Sequence, residues 1–103
     1  MTRYTTPTLT WALPFEASYI AAAAITIKQG DIIIEKALSD CTASDSTLSC
    51  TLTQEESGKF VADRSAKVQL RCVGTDGKAY ASTVETLNVS DVLKEGVMDG
   101  TES

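Results

Sequence analysis

Three cysteines, Cys41, Cys50 and Cys72, are the strongest nucleophiles in this 103-residue sequence, which contains no histidine. Without imidazole, the Ser-His-Asp and Cys-His arrangements lose their base, and most zinc sites lose a ligand. A cysteine nucleophile would then need another base or a strongly lowered pKa. Cys50 and Cys72 fall on the apolar phase of alternating stretches. Burial there raises a thiol's pKa and makes it inert, so both read as structural core fillers. Cys41 and Cys50 straddle Ser44-Asp45-Ser46 almost symmetrically. In a regular hairpin they lie nearly opposite each other, which permits a cross-strand disulfide. An odd cysteine count and a reducing folding compartment favour free thiols instead.

The carboxylates offer little chemistry. Glycoside hydrolysis needs two carboxylates facing each other across a cleft, and Glu55-Glu56 are sequence neighbours. They read better as charges at a helix N-terminus, favoured by its dipole. Asp40 and Asp45 lack the ordered oxygen spacing of a calcium loop. Asn88-Val89-Ser90 matches a glycosylation sequon, a short motif read here as coincidence. No P-loop or Gly-rich dinucleotide fingerprint is present. The expectation is no catalytic residue, no cofactor and no metal, hence not an enzyme.

Net charge is −5. That disfavours nucleic acid, which requires a basic stripe, and anionic membrane surfaces. The apolar stretch Ile20 to Ile27 is far shorter than the ~20 residues of a membrane span. The opening Met1-Thr2-Arg3-Tyr4 has no apolar segment of signal-peptide type, so the reading is a chain made and folded in a cytoplasm. Serine and threonine on the polar phase of the strands fit β-propensity and solubility, or a hydroxyl-rich binding surface. A sugar-binding surface would need exposed aromatics. The candidates are Tyr4, Tyr19, Tyr80 and Trp11, with Trp11 disfavoured by its inward phase.

The elements that position these residues are short strands punctuated by turns. Thr8 to Leu13 alternates with Leu9, Trp11 and Leu13 on one face, and Pro14 ends it. Tyr19 to Lys28 contains Ala21–Ala24, which would also suit a helix. The β-branched Ile25-Thr26-Ile27 favours a strand, with Ala23, Ile25 and Ile27 inward. Gly30-Asp31 suits a tight hairpin into Ile32 to Leu38. Ile32-Ile33-Ile34 reads as covered on both faces. Thr47 to Leu52 places Leu48, Cys50 and Leu52 inward. Thr53 and Glu56 fit a capping box for one or two helical turns, with Phe60 as a buried anchor. Ala66 to Val73 places Val68, Leu70 and Cys72 inward, and Asp76-Gly77 marks a hairpin. Ala79 to about Ser90 forms the last strand. Its inward set changes phase from Tyr80, Ser82 and Val84 to Leu87 and Val89, as a β-bulge would produce. The rhythm predicts one all-β domain over residues 1–90, an immunoglobulin-like or fibronectin III-like β-sandwich of about six to seven strands with one short helical turn. An acidic tail follows over 91–103. Val92, Leu93, Val97 and Met98 would make a short amphipathic turn against a neighbour, or the chain would be disordered past Gly100.

The stretches Met1-Thr2-Arg3-Tyr4-Thr5-Thr6-Pro7-Thr8, Ile25-Thr26-Ile27-Lys28-Gln29-Gly30, Leu52-Thr53-Gln54-Glu55-Glu56, Val68-Gln69-Leu70-Arg71 and Asp91-Val92-Leu93-Lys94-Glu95-Gly96-Val97 carry a resemblance over nearly the whole chain. It resembles small uncharacterised phage and prophage proteins of gut Firmicutes. The resemblance implies a virion part, in the tail, baseplate or capsid surface, made in the host bacterial cytoplasm. It implies protein partners, either further copies or another virion protein. The candidate contacts are free strand edges, which a one-domain sandwich must blunt or use, together with Val92, Leu93, Val97 and Met98. The rival is a carbohydrate- or host-surface-binding module.

Overall fold

The computed structural model describes residues 1–100. Among these, eight strands follow one another: β1 (Thr8–Ala12), β2 (Ile20–Gln29), β3 (Ile32–Ala37), β4 (Cys41–Ser44), β5 (Thr47–Thr51), β6 (Ser65–Gly74), β7 (Ala79–Ala81) and β8 (Glu85–Asn88). A short helix, α1 (Gln54–Gly58), links β5 to β6, and single 3₁₀ turns occupy Ala17–Tyr19 and Leu38–Asp40. The strands form two antiparallel sheets. One has the order β1-β5-β4; the other has the order β3-β2-β6-β7, with β8 also on β6. Both contribute to one core. Ile25, Ile27, Val68, Leu70 and Cys72 of the larger sheet meet Leu48 and Cys50 of the smaller one, joined by Leu52 and Phe60.

β2 is a strand despite its alanines. It pairs with β3 on one side and β6 on the other, and this long-range pairing overrides helix propensity. Gly30 supplies φ +58° at the first central position of the two-residue hairpin that sets Gln29 opposite Ile32. The isoleucine run is covered on one side only. Ile34 is buried, whereas Ile33 is 54% exposed, because it points to the outer face of this edge strand, where no described residue covers it. β3 then passes through Leu38–Asp40 directly into β4, so one run of chain serves both sheets. The Ala37 amide donates to the Asp40 carboxylate at 2.9 Å, which fixes that turn.

The capping box forms as read. The Thr53 amide donates to Glu56 Oε1 at 2.9 Å, and the Glu56 amide to Thr53 Oγ1 at 3.1 Å. The helix then carries the chain from one sheet to the other over Phe60, which is buried.

The last strand is not continuous. β7 and β8 both pair with β6, but Arg71 faces Ala81 while Val68 faces Glu85. Residues 82–84 therefore oppose only 69–70, one extra residue, as a bulge requires. Ser82 bridges the break by donating its amide to the Leu70 carbonyl at 2.8 Å and accepting the Leu70 amide on Oγ at 3.0 Å. Leu87 and Val89 face inward after the shift, but Val84 sits in the interruption and is 55% exposed, not inward.

The N-terminus adds a short parallel run. Met1 and Arg3 exchange backbone bonds with Ser90, and the terminal ammonium donates to the Asn88 carbonyl at 2.7 Å. The tail forms no helical turn. Gly96, at φ +105°, breaks the path, and Gln54 holds it by exchanging side-chain bonds with the Met98 amide and carbonyl at 2.8 Å each. The expectation of disorder past Gly100 falls on residues 101–103, outside those described.

Candidate functional site

The structure places the cysteines in the core or against it. Cys50 and Cys72 are buried and Cys41 is half-buried, all as free thiols. Cys41 and Cys50 are direct cross-strand partners. The β5 residues of even number bond towards β1, as the Leu13–Ser46 and Leu52–Pro7 backbone bonds show. Cys50 therefore meets Cys41 as a non-hydrogen-bonded pair, the closer kind, with both side chains on one face. Burial, then the neighbouring Cys50 thiol, pushes the Cys41 pKa up to about 11. Burial also raises the thiols of Cys50 and Cys72. A group held in its neutral form this firmly is a poor nucleophile at neutral pH.

Charged and polar groups inside the fold are committed to structure. Lys36 of β3 donates to both oxygens of Glu56 at 2.9 and 3.0 Å, tying the larger sheet to α1. Gln29, buried, bonds the Val61 amide and carbonyl and the Arg64 carbonyl. Ser57, buried, donates to the Thr5 carbonyl at 2.7 Å and accepts the Thr5 amide at 3.1 Å. Arg3 reaches Asp91, Glu95 and the Gly58 carbonyl. Asp40 and Asp45 do not converge, and among the described residues no group of three or more His, Cys, Asp or Glu could hold a metal ion. No helix among them is long and apolar enough to cross a membrane.

The aromatic candidates are spent on packing. Tyr4, Tyr19, Tyr80 and Trp11 are all half-buried. Phe15 contacts Tyr19 and Tyr80 with ring centroids 5.0 and 5.4 Å apart. Tyr19 also donates to Asp76, and its ring lies against Gly74. Tyr4 lies against Gly58, with the Arg3 guanidinium 5.1 Å from its ring centroid. The tail residues are scattered. Val92 is half-buried, Leu93 fully exposed, and Val97 and Met98 about half exposed at 52% and 50%.

One region combines exposed backbone with apolar surface. Among the described residues β1 is an edge strand that pairs with β5 alone. Pro7, Leu9, Trp11 and Leu13 share the phase that bonds to β5, as the Pro7–Leu52 and Leu13–Ser46 bonds set. By antiparallel alternation, the N–H and C=O groups of Thr8, Thr10 and Ala12 point away from the sheet. Beyond them lies a seam of about 320 Å³ between β1 and β8, lined by Leu9, Trp11, Val68 and Leu87 with Thr8, Thr10, Glu85 and Thr86. The Met1–Arg3 run covers the far end of β8 at Ser90 and stops there. Sequence reasoning set Leu9 and Trp11 inward but missed the open seam. The available signal was an uncharged run from Tyr4 to Phe15 with prolines at 7 and 14.

No family model matches the chain, and no curated protein or solved structure matches it.

Proposed function

We propose that this chain is a non-catalytic structural module of a bacteriophage particle, immunoglobulin-like in topology, which assembles through a free strand edge. The observation that carries this reading is the bare edge of β1 beside an apolar seam. Unpaired strand edges recruit partners by strand addition. The phage assignment draws on the sequence resemblance. The topology draws on connectivity. In immunoglobulin domains one sheet carries D, E and B and the other C′, C, F and G. The orders β4-β5-β1 and β3-β2-β6-β7/β8 follow that scheme, with strand A reduced to Met1–Arg3 beside Ser90. The seam then occupies the place of the missing part of strand A. Val92, Leu93, Val97 and Met98 supply secondary contacts from the tail.

The test is mass spectrometry of particles purified from the strain that carries the gene. The expected result is this chain at a fixed copy number per particle. Its absence from intact, infectious particles overturns the reading.

A further inference from the structure

We infer that the occupant of the β1 edge is a second copy of this chain, paired antiparallel about a two-fold axis through Thr10. This rests on the reading of the chain as an interaction module and names its partner.

Thr8, Thr10 and Ala12 direct their free backbone groups outward. A symmetric antiparallel pair centred on Thr10 sets Thr8 opposite Ala12 and Thr10 opposite Thr10 of the second copy. The Thr8–Ala12, Thr10–Thr10 and Ala12–Thr8 pairs then all join outward-bonding residues, so each of these three exchanges both N–H···O bonds. Centring on Leu9 or Trp11 would still join outward-bonding residues, but centring on Trp11 sets Pro14, which has no N–H, against Thr8. The Thr10 centre also sets Leu9 against Trp11 at both ends of the pair. These two half-buried side chains line the seam, and each would be covered by its counterpart, as apolar cross-strand pairs require.

Charge selects the same edge. Each copy carries −5, so two copies repel, least where the surfaces that meet carry no charge. From Tyr4 to Phe15 the sequence has no charged residue. The other free edges are guarded: β3 carries Glu35 and Lys36, β8 carries Glu85, β4 has only four residues between Asp40 and Asp45, and β7 has three beside Lys78. Charge and brevity are the usual defences of an edge, and β1 has neither charge nor a proline within it. Glu85, the one charged residue lining the seam, already accepts the Thr83 hydroxyl at 3.1 Å. The dimer would join the two smaller sheets into one, in the order β4-β5-β1 followed by β1-β5-β4 of the second copy.

The experiment uses the full chain in three measurements over a concentration series: light scattering after size exclusion, Trp11 emission, and amide hydrogen exchange by NMR. Trp11 is the single tryptophan. The expected result is a dimer at higher concentration, Trp11 emission moving to shorter wavelength, and slowed exchange at Thr8, Thr10 and Ala12. Thr10→Lys sets two ammonium groups face to face and should weaken association roughly a hundredfold. Because Thr10 is exposed, its circular dichroism should be unchanged. A monomer at all concentrations overturns the inference, as does a dimer in which those amides stay unprotected or which Thr10→Lys leaves intact. A monomer that is nonetheless built into particles overturns this inference alone. A Thr10-centred dimer absent from particles overturns the proposed function alone.

Discussion

Glu56 joins two stabilising devices, and two substitutions separate them. Its carboxylate accepts the Thr53 amide as part of the capping box and accepts Lys36 from β3. The Lys36 and Glu56 side chains are only 12% and 21% exposed, so water neither screens the pair fully nor replaces it cheaply. Glu56→Gln keeps an oxygen for the Thr53 amide, since glutamine also serves in capping boxes, but removes the charge. A hydrogen bond to a charged group contributes about 1.5–3 kcal/mol, and that is the expected loss. Glu56→Ala also removes the cap, adding about 1 kcal/mol. For a domain of this size the glutamine variant should melt roughly 10 °C lower. The pH dependence follows from the same contacts. Burial pushes the Glu56 carboxyl up, but Lys36 and the Thr53 groups outweigh it and hold the pKa below the ordinary carboxylate value. The stabilisation is therefore complete above the unfolded-state value of about 4.3 and is lost as pH falls through the lower folded value. Lys36 is raised, chiefly by its bond to Glu56, so its share is complete below its unfolded pKa and lost as pH rises through the folded one. Urea denaturation of wild type and Glu56→Gln across the pH range should show two curves, well separated near neutrality and converging in acid. A gap below about 0.5 kcal/mol at neutral pH, the size of an exposed pair, would refute the reasoning, as would a gap unchanged on acidification.

Oxidised glutathione should close a Cys41–Cys50 disulfide, the two thiols giving up their hydrogens as the reagent is reduced to two thiols, while Cys72 stays free; intact-mass and peptide mapping read this out. Because the Cys41 pKa lies at about 11, the reaction should be slow at neutrality and speed up about tenfold per pH unit below that value. Gly58→Ala should destabilise by about 1–3 kcal/mol in thermal melts, because the new methyl collides with the Tyr4 ring, and this outweighs the ~1 kcal/mol that alanine gains in a helix. Leu70→Ala, at a side chain with no exposure, should cost about 2–5 kcal/mol in chemical denaturation. Arg3→Ala removes the bonds to Asp91 and Glu95, and amide exchange over Asp91–Met98 should accelerate while that of β6 stays slow.

Where local chemistry dictates structure, the sequence could be read closely. The alternation in Thr47–Thr51 and Ser65–Gly74 set Leu48, Cys50, Val68, Leu70 and Cys72 inward. Thr53 and Glu56 announced their cap, and the phase change between Val84 and Leu87 announced an extra residue opposite β6, which the structure places just before it, within residues 82–84. What could not be read depends on who pairs with whom. β4 was not recognised as a strand, because Cys41–Ser44 has only Cys41 and Ala43 as its apolar phase and becomes a strand only by lying on β5. Ile33 looked buried because a β-branched run on an edge strand has the composition of one in a sheet centre. The same limit governs the candidate site. Leu9 and Trp11 declared their phase, but period-two alternation does not say whether a strand has one neighbour or two. The emptiness beside β1 is a property of the strand order.

The passage from β3 into β4 through Leu38–Asp40 bears on how faithfully the layers align. A slip of one residue in β3 against β2 would be felt at the turn. The β4–β5 register is fixed separately by the two-residue Asp45-Ser46 turn, which sets Ser44 opposite Thr47 and Cys41 opposite Cys50, so a displaced β3 would strain the Leu38–Asp40 passage between them. The Gly30 hairpin, which registers β3 on β2, and the Asp45-Ser46 hairpin, which registers β4 on β5, are thus joined by three residues of turn and must agree with each other for both layers to close on one core.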